Sequence, residues 1–85
     1  MKPMRVLKEF DNVCIARLLT ENRHYDGTDG VRRAPEVGDV AMIVHEYDPE
    51  DPRGPVAVEK VDPDGNTIWL ADFGRDELEY VDPSA

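Results

Sequence analysis

Val56-Ala57-Val58-Glu59-Lys60-Val61-Asp62-Pro63-Asp64-Gly65-Asn66-Thr67-Ile68-Trp69-Leu70-Ala71-Asp72 is the stretch that decides the fold class. Two runs rich in β-branched and apolar residues flank four residues that turn the chain. Proline's fixed φ suits the second turn position, glycine suits the last, and aspartate side chains accept from nearby amides. The segment therefore reads as a β-hairpin with strands at Val56 to Val61 and Asn66 to Asp72. Side chains alternate across a strand, so Ile68 and Leu70 share one face while Thr67, Trp69 and Ala71 share the other.

Immediately upstream, Asp48 to Pro55 carries three prolines in eight residues. Too few backbone donors remain for a central strand, so this is a rigid, exposed turn. Before it, Val40 to Tyr47 has a continuously apolar centre, which suits a strand buried in a barrel wall. Gly38-Asp39 supplies a tight turn into that strand. Thr20 to Glu36 offers two Asp/Gly turn signals and almost no core-forming side chains, and reads as a long loop, either functional or mobile. The first strand is expected within Phe10 to Leu19, where Val13 and Ile15 alternate with Cys14 and Ala16. Met4, Leu7, Cys14 and Leu18 also fit a helix over residues 4–20, but the β-branched content favours a strand. Downstream, Phe73 to Pro83 has room for one helical turn around Asp76 to Leu78 and a closing strand at Glu79 to Val81. Pro83 to Ala85 should fray.

These segments make an all-β, mainly antiparallel domain: a small five-stranded SH3-like barrel with a long first loop and a short helical turn before the last strand. Residues 1–9 form an N-terminal arm, 10–82 the barrel and 83–85 a tail. At 85 residues the chain supports one core and not two. The single cysteine, Cys14, excludes an intramolecular disulfide, and no apolar run is long enough for a secretion signal or a membrane span. A cytoplasmic setting is expected.

The net charge of -9 is unevenly placed. Residues 1–44 carry seven acids and seven bases; residues 45–85 carry twelve acids against Arg53, Lys60 and Arg75. Such a field repels phosphates and favours basic partners, although it also serves solubility. A local basic strip of Arg17, Arg23, Arg32 and Arg33 is the one feature that favours nucleic acid.

The chain resembles a family of small bacterial proteins catalogued as a domain of unknown function. The resemblance rests on Phe10-Asp11-x-Val13, Gly38-Asp39-Val40-x-x-Ile43-Val44-His45, Asp62-Pro63-Asp64-Gly65-x-Thr67-Ile68 and Asp76-Glu77-Leu78-Glu79-Tyr80-Val81. It implies an SH3-like barrel and is silent on chemistry. Two departures stand out: a longer Thr20 to Glu36 loop, and Ala41 where a second glycine commonly follows Gly-Asp-Val.

Cys14, His24 and His45 are too irregularly spaced for a zinc site. Asp62-x-Asp64-Gly65-Asn66 is like the opening of a calcium loop, but its twelfth position is Phe73 and not glutamate. No metal or cofactor is expected. Carboxylates are plentiful without a nucleophile motif or a phosphate-cradling loop, so no enzyme is expected. SH3-like barrels often bind between the long first loop and the turn after the second strand. That geometry nominates Tyr25, Tyr47, Asp48, Glu50, Asp51 and Trp69 as partner-binding residues, with packing in the core as the competing role for Trp69. The expectation is a non-catalytic interaction module for a basic protein partner, in its sharper form an immunity or antitoxin-type inhibitor. The alternatives are a structural or self-associating barrel and, third, a nucleic-acid-binding barrel.

Overall fold

The computed structural model describes residues 6–82. Five strands, β1 (Asn12–Ile15), β2 (Val40–Glu46), β3 (Val56–Val61), β4 (Thr67–Phe73) and β5 (Leu78–Tyr80), form one antiparallel sheet in the order β4-β3-β2-β1-β5. A 3₁₀ turn at Arg75–Glu77 precedes β5. The all-β expectation holds, as do the hairpin and the helical turn before the last strand, each within a residue or so of where the sequence puts it. The expected tail, 83–85, and Met4 of the helical alternative lie outside the described residues.

The hairpin turn closes through Gly65 N–H donating to the Asp62 carbonyl at 3.0 Å. Asp62 Oδ1 also accepts the amides of Asp64 and Asn66, each at 2.9 Å. Gly65 has φ +86, a conformation that costs glycine nothing and other residues strain. Beyond the turn, Trp69, Ala71 and Phe73 face inward, opposite Val56 and Val58 of β3. Trp69, Phe73, Ile15, Ile43, Val13, Val56 and Val58 are essentially sealed from solvent. At about 1.5–3 kcal/mol for each large apolar side chain, this layer holds the domain together.

The first strand falls within Phe10 to Leu19 and is confined to Asn12–Ile15, since Leu18 and Leu19 are exposed and Phe10 lies in the turn before β1. Two expectations need correction. β2 is not buried on both faces: Ala41 and Ile43 point inward, while Val40 and Met42 are exposed on the outer face of the sheet. The sheet is thus covered on one side, and a continuous apolar run overstates the burial. Finally, the N-terminal arm is not wholly outside the domain, since Leu7 joins the core cluster.

The long first loop also has more order than its composition suggests. Asp26 and Leu70 exchange two backbone hydrogen bonds at 2.9 and 2.8 Å. Thr28 N–H reaches the Thr67 carbonyl at 2.8 Å and Arg33 N–H that of Ile68 at 3.2 Å. The loop therefore runs beside β4 and satisfies the donors and acceptors of an otherwise open sheet edge.

Candidate functional site

Two carboxylates fasten the ends of that loop. At its start, Glu77 of the 3₁₀ turn accepts from Arg23 Nη2 at 2.8 and 2.6 Å and from the Leu19 amide at 2.9 Å. The Gly74 amide completes the set at 3.0 Å. The Arg23 guanidinium lies 4.0 Å from the centre of the Phe73 ring, which fixes its plane against the core. At the loop's end, Asp39 accepts two hydrogen bonds from Arg33 at 2.8 and 2.9 Å, one from the Glu36 amide at 3.0 Å and one from the Trp69 indole at 3.0 Å. Burial by itself pushes the Asp39 carboxyl up, but its four donors outweigh that and bring it down to about 2 from 3.8. Glu77 behaves alike: burial raises it, yet Arg23 and the two amides leave it below its ordinary value.

With the loop pinned, its first half forms one wall of a groove of about 500 Å³. Thr20, Asn22, Arg23, His24 and Asp26 line it from the loop, and Tyr47, Ala57, Leu70 and Asp72 line it from the sheet. Strand alternation explains the depression. The core takes Val56 and Val58, so Ala57 points to the other face, where its methyl leaves space between larger neighbours. Tyr47 closes the rim. Its hydroxyl donates to Asp72 Oδ1, and that bond is the main cause of a phenol pKa above the ordinary value. The His45 ring meets the Tyr47 ring edge-on, with centroids 5.0 Å apart.

The turn beyond Tyr47 is held by its own carboxylates. Asp48 Oδ1 accepts the Glu50 amide at 3.1 Å, and Asp51 Oδ1 accepts the Arg53 amide at 2.9 Å. Arg75 ties the turn down, donating to the Asp51 carbonyl and to Glu46 Oε1, each at 2.7 Å. Asp48, Glu50 and Asp51 nonetheless remain exposed.

No family model, curated protein or solved structure matches this chain. The site rests on its own geometry.

Tyr47, Asp48, Glu50 and Asp51 follow one another along the exposed segment after β2, of which only Tyr47 lines the groove, and the structure separates the other two nominated residues from it. Trp69 is completely buried, so the core role applies and it cannot touch a partner. Tyr25 is half-buried against the core cluster, lining a different hollow with Leu18, Ala34 and Pro35. It does not line the Tyr47 groove. The residues that sequence reasoning missed are Asp72, Asp26, His24 and Ala57. Only a register placing the loop beside β4 would have found them, and nothing in the loop's composition announces that pairing.

Among the described residues no group of three or more His, Cys, Asp or Glu side chains is arranged to hold a metal, and no helix is long and apolar enough to cross a membrane.

Proposed function

We propose that the protein is a non-catalytic interaction module that binds a basic protein partner through the Tyr47, Asp48, Glu50 and Asp51 rim and the groove beside it. What supports this is a run of exposed residues after β2, the Tyr47 ring followed by the Asp48, Glu50 and Asp51 carboxylates, with Tyr47 lining a groove beside a loop held in place at both ends. A preformed acidic surface steers a cationic partner and avoids the ordering cost of a flexible loop. In its sharper form, the partner is a toxin whose nucleic-acid-binding site is masked by carboxylates in place of phosphates.

The test is affinity purification of tagged protein from its native cells, followed by binding measurements over a salt series. A stoichiometric partner of basic isoelectric point is expected, with affinity that falls as salt rises and by about tenfold or more in an Asp48→Lys, Glu50→Lys double variant. Recovery of no such partner, or equal binding by the double variant, would overturn the reading.

A basic strip for nucleic acid finds little support, because Arg23 and Arg33 are engaged by Glu77 and Asp39, and Arg17 donates to the Asp76 carbonyl. Self-association draws on one specific observation, the exposure of Val40 and Met42 on the outer face of the sheet. Light scattering that shows a stable homo-oligomer would favour it.

A further inference from the structure

We propose that the groove beneath Tyr47 is a pocket for one arginine side chain, so that a basic partner is read through an inserted guanidinium. This rests on the interaction reading above and names the chemistry it recognises.

The backbone pairing of Asp26 with Leu70 puts the Asp26 side chain on the same face of the sheet as Leu70. Asp72, two residues further along β4, points the same way. Diagonal neighbours of this kind lie about 7–8 Å apart at the backbone, within reach of one another's side chains, so a single planar cation can donate to both. Both carboxylates line the groove, and both residues are exposed. Ala57 and Leu70 line the same groove, apolar surface that suits the aliphatic stem of arginine. The Tyr47 ring at the rim offers a face on which a planar cation stacks.

Each carboxylate already has one neighbour: the Tyr47 hydroxyl donates to Asp72 Oδ1, and His24 Nε2 lies 3.4 Å from Asp26 Oδ1 while remaining largely exposed. The Arg23 side chain is nine-tenths buried and held by both oxygens of Glu77, so it does not occupy the groove as their partner. Arginine is favoured over lysine because only a planar, forked donor bridges two carboxylates while stacking on a phenol.

The experiment is a titration of ¹⁵N-labelled protein at neutral pH and low salt with N-acetyl-arginine-N-methylamide, run beside the lysine and citrulline analogues. Saturable shifts are expected at the amides of His24, Asp26, Ala57, Leu70 and Asp72, with arginine binding several-fold tighter than lysine and citrulline silent. Asp26→Asn and Asp72→Asn, two exposed substitutions, should each weaken arginine binding about tenfold while leaving the remaining spectrum in place. Absence of saturable shifts, equal shifts at Asp48, Glu50, Asp62 and Asp64, equal binding of lysine, or unchanged binding by both variants would each overturn the pocket. The two readings fail separately. Arginine bound in the groove without any protein partner sinks the interaction reading alone, whereas a partner held equally by both Asn variants sinks the pocket alone.

Discussion

Phe10 occupies a backbone position that glycine would fill more easily. Its φ is +71, its N–H donates to the Ile43 carbonyl at 2.7 Å, and Ile43 N–H donates to the Asp11 carbonyl at 3.0 Å. Two residues thus oppose one, in the type of bulge whose first position is normally glycine. The left-handed conformation costs a residue with a Cβ about 1–2 kcal/mol, and a ring that is 67% exposed recovers little of it through packing. Phe10→Gly should therefore raise stability by roughly 0.5–1 kcal/mol, after allowance for the greater freedom of glycine in the unfolded chain. A urea midpoint that rises at constant slope would bear this out; a lower midpoint would mean that the ring packs more than its exposure implies. Trp69 is the opposite case, fully buried and bonded to Asp39. Trp69→Phe should cost about 2–3 kcal/mol, from lost volume and from the hydrogen bond the indole no longer makes.

Among the elements, the first loop departs furthest from its expected character. Its polar composition fits solvent exposure, yet its backbone lies against the edge of β4, and Gly27 makes that approach possible. A Cβ on Gly27 would stand 2.7 Å from the Ile68 carbonyl oxygen and 2.6 Å from Arg32 Cγ. Arg32 Cβ would also stand 2.9 Å away, and neither it nor the strand backbone can move aside by a side-chain rotation. Gly27→Ala should accordingly lift the loop away from β4 and speed amide exchange at Asp26, Thr28 and Leu70 several-fold, with little change in the core of β3. Exposing the β4 edge should also increase aggregation at high protein concentration. Unchanged exchange at Leu70 would show that the loop is not held by close backbone approach.

For the whole molecule, the two carboxylate fastenings link folding to acid. Asp39 has a folded value of about 2 against 3.8 unperturbed, and Glu77 is also lowered. A lowered carboxylate stabilises the fold fully above its unfolded value and loses that contribution as pH falls through its folded value. The Asp39 hydrogen bond raises the Arg33 pKa further, so that partner stays charged throughout. Stability should consequently hold from neutrality to about pH 5 and decline between about pH 4 and 2, followed by urea melts or by Trp69 fluorescence. Neutralisation of the net charge of -9 works in the opposite direction, since it relieves self-repulsion. The Asp39→Asn variant separates the two effects. It should be less stable than the parent at neutral pH and show a smaller loss on acidification. A decline as large as the parent's would assign the acid sensitivity to other groups.

What the sequence determined by itself was local. Asp62-Pro63-Asp64-Gly65 specifies its turn through the φ of proline and glycine and the reach of an aspartate side chain, and each acts within four residues. The strand periods around Val13, Ile43, Val58 and Trp69 were legible for the same reason, as was the exposed acidic turn after Tyr47. Only the tertiary structure decided the rest. It settled which face of β2 meets the core, buried Trp69, turned Tyr25 away from the rim, and laid a polar loop along β4 so that Asp26 and Asp72 share a groove. Those outcomes depend on contacts such as Arg23 with Glu77 and Trp69 with Asp39, between residues thirty to more than fifty positions apart. Local propensity carries no record of such pairings, because their free energy appears only when the core has brought the partners together.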